Sequence, residues 1–219
     1  MVQTKGPTRT PGEVRLSARE RLLNAAGELF YAEGVQTVGI DRVIEQAGVA
    51  KASLYNTFGS KEELVHAYLQ ARHERISGRI NRVLDRYPSP REKLLAIFEA
   101  QGEIFGDPDY HGCAFVSASA EARPGSSVVE AVDDYRAWVR GLFTDLATQL
   151  GVSEPATLAQ QLQMLYDGGG LSARMDRDPQ AWQASRAAAA ALLDTALLDR
   201  PPDTALLDTA LLDTATAER

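Results

Sequence analysis

At 219 residues with 44% hydrophobic content, the chain is long enough for one or two domains with a buried core. No run approaches the roughly 18 apolar residues of a membrane span, Met1 to Gly12 is polar where a signal peptide has an apolar core, and the single cysteine, Cys113, excludes an internal disulfide framework; the expectation is a cytoplasmic protein. The net charge of −7 is uneven, because residues 1–82 carry 12 Lys+Arg against 9 Asp+Glu, net +3, while residues 83–219 carry 11 against 21, net −10.

In chain order, residues 1–16 hold Gly6, Pro7, Pro11 and Gly12 with Lys5, Arg9 and Arg15. They read as a flexible basic arm that can follow a phosphate backbone or enter a minor groove, or equally as a leader without a role. Ser17 and Glu20 make a capping box, and Leu22, Ala25, Ala26, Leu29 and Phe30 form the apolar stripe of a first helix closed by Gly34. Ile40, Val43, Ile44 and Ala47 line one side of a second, short helix. It stops at Gly48, where the chain reverses without a Cβ clash and Val49 turns inward. A third helix starts near Ala50, with Leu54 and Phe58 inward and Lys51, Ala52, Ser53, Tyr55, Asn56 and Thr57 on or near the open side. Gly59 ends it, and Ser60 with Glu63 caps a fourth. Two short helices around a tight turn make a helix-turn-helix.

These residues resemble the DNA-binding domain of the TetR family of transcriptional regulators. The matching features are Leu29-Phe30, Glu33-Gly34 with Thr37, Ala47-Gly48-Val49, Leu54-Tyr55 and the run Phe58 to Leu64. The resemblance implies an all-α fold with an N-terminal three-helix DNA-binding domain over 17–65. A C-terminal helical domain for ligand binding and dimerisation follows over 66–200. It also implies a homodimer on a palindromic double-stranded operator, because two heads related by a twofold axis double the contacts and set their spacing.

By matching positions, Lys51, Ala52 and Ser53 face bases: Lys51 can donate to guanine O6 or N7, Ala52 can touch a thymine methyl, and Ser53 can donate or accept. Tyr55, Asn56, Thr57 and Lys61 hold phosphates, with Gly39 and Arg42 of the preceding helix near the backbone. The ring of Tyr55 can instead belong to the head's own core. Two positions depart from the family's pattern. Ala50 stands where a capping hydroxyl is common, a loss of about 1 kcal/mol, and Thr57 replaces a larger aromatic or imidazole.

From Ser60 a long helix is expected to about Tyr87, where Pro88 and Pro90 forbid continuation. Its charged later part is either a solvated face or a link that sets head spacing. Further helices are expected over about 91–105, 112–122, 125–150, 154–176 and 178–199, with no alternating strand pattern. Gly168, Gly169 and Gly170 inside the 154–176 segment imply either a break or a close helix approach, since a helical glycine costs about 1 kcal/mol against alanine. Ala-Leu-Leu-Asp recurs from 191, 196, 205 and 210. A period of five walks around a helix axis instead of making a stripe, so residues 201–219 read as a low-complexity tail.

The last two helices are the family's dimerisation pair, with Leu158, Leu162, Leu165, Leu171, Ala188, Ala191 and Leu192 as interface candidates or, alternatively, core. Phe98, Phe105, Phe115, Tyr135, Trp138, Met164 and Tyr166, with polar His111, Cys113, Ser117 and Asp167, are candidates to line a pocket for a small apolar or aromatic effector. Each aromatic alone can equally be plain core. Gly112-Cys113-Ala114-Phe115 resembles one subgroup of the family. His111 and Cys113 supply two ligands where a zinc site usually needs four, and nothing orients them as a nucleophilic pair, so no metal, cofactor or catalysis is expected. The expected function is a ligand-responsive regulator, a repressor by family default. The alternatives are a DNA-binding regulator without an effector and a helical enzyme.

Overall fold

The computed structural model describes residues 16–199. The arm expected over 1–16, Leu16 apart, and the tail over 201–219 therefore lie outside the described residues. Within them the chain is all-α: α1 Ala18–Glu33, α2 Ile40–Ala47, α3 Lys51–Phe58, α4 Lys61–Leu84, α5 Pro90–Phe105, α6 Ala114–Glu121, α7 Ser127–Gln149, α8 Pro155–Met175 and α9 Ala181–Leu198. No described helix is long and apolar enough to cross a membrane. Two compact units divide between Tyr68 and Leu69, three residues beyond the expected boundary after residue 65.

In the first unit, α1 buries Leu22, Ala25, Ala26, Leu29 and Phe30. Val38, Val43, Ala47 and Leu54 are buried with them, and the start of α4 adds Leu64, Val65 and Tyr68. Phe30 and Tyr68 meet edge to face at 5.7 Å, a geometry that suits the ring quadrupoles. The Ser17 hydroxyl accepts from the Glu20 N–H while the Glu20 carboxylate accepts from the Ser17 N–H, the reciprocal cap expected from sequence. At α4 the Ser60 hydroxyl accepts from the Glu63 N–H at 3.1 Å.

α4 ends at Leu84, short of the expected Tyr87. Arg86 and Tyr87 donate their N–H groups to Val83 and Leu84 at 3.1 Å, a tightened last turn that lets the chain leave before Pro88. In the second unit α5 is the central element. It buries Leu94, Leu95, Ala96, Ile97, Phe98, Ala100, Gln101 and Phe105, nearly all round, and packs against α7, α8 and α9. By contrast, α9 buries only the narrow stripe Ala181, Ser185, Ala189 and Leu193, four residues apart.

The three glycines of α8 do not break it. Gly169 and Gly170 sit where neighbouring chains come close: a Cβ on Gly169 would meet the Ser185 hydroxyl at 2.6 Å, and one on Gly170 the Gln101 amide at 3.2 Å. Gly168 faces open space.

Candidate DNA interface and the interior of the helical body

The turn between α2 and α3 is built by the backbone. Gly48 adopts φ 60°, ψ 44°, and the Val49 N–H reaches back to the Ile44 carbonyl at 3.3 Å, so the end of α2 is closed by the left-handed residue that glycine adopts without strain. Arg21 of α1 then clamps it from outside, donating Nη1 to the carbonyls of Gly48 at 2.9 Å and Ala47 at 3.3 Å. A cation at a helix C-terminus meets the negative end of the dipole. Arg21 was not singled out by the sequence reading; the orphan carbonyls that a short helix leaves beside a neighbouring arginine were the available signal.

α3 presents one buried residue, Leu54, to the unit's core. Lys51, Ala52, Tyr55, Asn56 and Thr57 are exposed and Ser53 is half-buried, so the residues named from sequence form one open face. Tyr55 is 46% exposed, which takes much of its ring out of the core. The start of α3 has no side-chain cap at Ala50, and the Ser53 N–H turns back to the Ala50 carbonyl at 2.9 Å. Thr57 turns its hydroxyl back to donate to the Ser53 carbonyl at 2.6 Å. Gly39 and Arg42 are exposed at the start of α2, and Lys61 is half-buried at the start of α4.

Two cations of this face, Lys51 and Arg42, have carboxylate partners. Lys51 donates from Nζ to Asp41 Oδ1 at 2.8 Å, and the hydrogen bond and charge of Asp41 raise the lysine's pKa. Arg42 forms a two-pronged pair with Glu33, one arm from Nη2 to Oε1 at 2.7 Å. Gln46 donates to Glu28 at 2.7 Å. From sequence, Glu33 entered only as part of the Glu33-Gly34 turn and none of these side chains was paired.

In the second unit five of the expected pocket residues, Phe98, Phe115, Tyr135, Trp138 and Tyr166, form one aromatic group. Tyr135 stacks on Phe115 with centroids 3.8 Å apart and rings 7° from parallel. Its hydroxyl lies 3.3 Å from that of Tyr166. Phe98 and Phe143 close the group, the former 6.4 Å and the latter 6.2 Å from Tyr166. Half-buried Trp138 lies 5.0 Å from His73 and 6.1 Å from Tyr135. Burial pushes the Tyr166 phenol up to about 12 and raises Tyr135 well above its ordinary value. Burial also lowers His73, against the opposing charges of Asp134 and Glu74.

Asp167 is paired with Arg136 at 2.9 Å. Half-buried Cys113 precedes α6, and burial pushes its thiol up, which favours the protonated form. Ser117 accepts from Arg174 at 3.5 Å, and His111 is half-buried beside Gly112. Among the described residues no group of three His, Cys, Asp or Glu side chains is placed to hold a metal.

Four expectations need correction. Met164 is 68% exposed, because the helical phase of α8 turns it outward from the aromatic group. Phe105 packs instead in a separate cluster with Ala173, Ala181, Tyr110 and Trp182. Leu158 and Leu162 are buried on the inner side of α8, so neither is on a free face. The other interface candidates are outward: Leu171, Ala188 and Ala191 are exposed, and Leu165 and Leu192 are half-buried.

An exposed second helix of a helix-turn-helix, carried ahead of a larger helical body, defines the class of one- or two-domain helical DNA-binding regulators. The profile of the bacterial regulatory proteins of the tetR family matches residues 22–68, the first unit from mid-α1 into α4. The solved structure of a TetR-family transcriptional regulator from Streptomyces coelicolor is similar at 31% identity, covering 82% of this chain and 96% of that one with a TM-score of 0.77. Among curated proteins, the HTH-type transcriptional regulator YjdC of Escherichia coli is 26% identical over 152 residues, 68% of this chain and 80% of its own. The HTH-type transcriptional repressor KstR2 of Mycolicibacterium smegmatis is 34% identical over 87 residues, 40% of this chain and 42% of its own. The chain belongs to the TetR family of transcriptional regulators. These relatives are regulators, which sets the helical-enzyme alternative aside.

Proposed function

We propose that the protein is a cytoplasmic, homodimeric repressor that reads a palindromic operator through α3 and leaves it when a small apolar or aromatic effector enters the second unit. The observation that carries the DNA reading is the single open face of α3, where Lys51, Ala52, Tyr55, Asn56 and Thr57 stand together around one buried anchor, Leu54. Lys51 at the helix start is placed for base edges, and Tyr55, Asn56 and Lys61 for phosphate. One relative is a repressor and another, 37% identical over 82 residues, an activator, so repression rests on the family default alone.

Support for the dimer comes from α8 and α9. Leu171 is 53% and Met175 71% exposed on one side of α8, in line with Met164 and the open Gly168. The outer side of α9 offers Ala184, Ala187, Ala188 and Ala191, small residues that let a second helix approach closely. Apolar side chains and open glycine on adjoining helices suit a partner copy better than water.

The interior aromatic group, with two phenol hydroxyls and the Arg136–Asp167 pair beside it, suits an aromatic effector bearing one polar group. A second reading, regulation without an effector, is favoured by the tight Phe115–Tyr135 stack and by Phe98, Phe115 and Phe143 being at most 2% exposed. Selection of binding sequences from a random duplex pool, followed by footprinting and sedimentation, tests the first part. A symmetric protected site bound by two copies is expected, and no enriched sequence would overturn the reading. Native mass spectrometry of protein purified from its source separates the two readings of the interior, a bound small molecule supporting the effector.

A further inference from the structure

The base-facing lysine is already engaged in the free protein. Lys51 is the first residue of α3, at the positive end of the helix, where a second positive charge is disfavoured. Asp41 lies in the first turn of α2, where its carboxylate is favoured by the same effect, and it holds the Lys51 ammonium at 2.8 Å. Both side chains are exposed, at 59% and 83%, so the pair sits on the surface that the proposed function turns toward DNA.

We infer that Asp41 is a specificity-determining residue: it positions Lys51 for a base edge and masks it from phosphate. The inference rests on the proposed role of α3 in DNA reading. An ammonium has three donors, and Asp41 occupies one, leaving two directed away from it. Those two can still reach paired acceptors such as guanine O6 and N7.

A phosphate at the same ammonium also meets the Asp41 carboxylate, and repulsion between the two anions offsets part of the pairing. Guanine O6 and N7 are neutral acceptors and carry no such penalty. Binding to arbitrary sequence, which comes almost wholly from phosphate neutralisation, is therefore penalised, while the correct base keeps the pair intact. Arg42 carries its own carboxylate in Glu33, so it does not compete for Asp41.

The test compares Asp41→Asn with wild type on two probes, the palindromic duplex selected by the wild type and a shuffled duplex of equal length, across a salt series. Asp41→Asn is expected to bind the shuffled duplex about three- to tenfold tighter at low salt, with a salt slope steeper by about 0.9 per subunit. Affinity for the selected duplex changes less, so discrimination falls. Asp41→Glu, which keeps the charge, restores wild-type discrimination.

In a Lys51→Ala background the effect of Asp41→Asn should vanish. An equal gain in both backgrounds would make Asp41 a general negative charge and overturn the inference, as would no gain in either. Failure of the wild type to select any sequence would instead overturn the DNA-reading role of α3.

Discussion

Gly169 of α8 lies against Ser185 of α9 so closely that a Cβ on the glycine would stand 2.6 Å from the serine hydroxyl and 3.3 Å from its Cβ. The adjacent Gly168 meets nothing within 4 Å. Helix propensity alone treats the two alike; packing separates them. Gly169→Ala is expected to lower unfolding stability by about 1–3 kcal/mol through overpacking, and Gly168→Ala, compared in a Leu171→Glu background so that the proposed subunit contact does not enter, to raise it by up to about 1 kcal/mol. Urea titrations at fixed protein concentration check the opposite signs.

Arg21 ties α1 to the carbonyls that end α2. Its replacement by alanine leaves the closing carbonyls of a short helix without that donor, at a cost of about 1.5–3 kcal/mol for hydrogen bonds to a charged group. Hydrogen exchange should show the loss first at the Val49 amide, which closes the same turn. Unchanged protection there would count against the clamp.

The phenol pair predicts an alkaline weakness. Burial holds the Tyr166 hydroxyl protonated to about 12, against 10 in the unfolded chain. Above pH 10 the unfolded state releases this proton while the folded state keeps it. Stability is therefore intact below pH 10 and falls as pH rises to 12, by about 3 kcal/mol over two units. Tyr166→Phe should lessen that fall in a denaturation series from pH 9 to 12, and the part that remains belongs to Tyr135, whose phenol burial also raises.

On the outer side of α8, Leu171→Glu places a carboxylate in the proposed subunit contact while leaving the interior of the fold untouched. Sedimentation velocity should show monomers, with far-ultraviolet dichroism unchanged and operator affinity reduced at least tenfold. A dimer that survives would move the contact elsewhere.

For the DNA face, Lys51→Ala should change which bases are preferred at one position of each half-site. Lys61→Ala should weaken all sequences alike and reduce the salt slope by about 1 per head. Selection experiments and salt titrations on both variants distinguish base contact from phosphate contact.

Much of the fold was legible because its signals are local. Capping boxes at Ser17 and Ser60, proline stops after α4 and the Ala47-Gly48-Val49 turn each act within a few residues, so the sequence places their helices to within a turn. The open face of α3 followed from one buried anchor and helical phase. What escaped was long-range. Arg21 meets Gly48 across 27 positions and Asp41 meets Lys51 across 10, and nothing in periodicity pairs a given cation with a given acceptor. Met164 was misjudged because hydrophobicity was taken for burial, although an apolar residue facing outward is what an assembly surface uses. Leu158 and Leu162 erred in the other direction, since both sides of α8 carry leucine and only the phase set by α5, α7 and α9 tells them apart.

Trp138, 5.0 Å from His73 and 6.1 Å from Tyr135, gives the second unit a built-in optical probe. The chain has only one other tryptophan, Trp182, which sits in the separate Phe105 cluster. With Trp182 changed to Phe, emission would arise from beside the phenol pair alone, and quenching by a neighbouring imidazolium would make that light sensitive to the charge on His73. A compound entering among these rings would announce itself by colour and intensity, without any label and without DNA present.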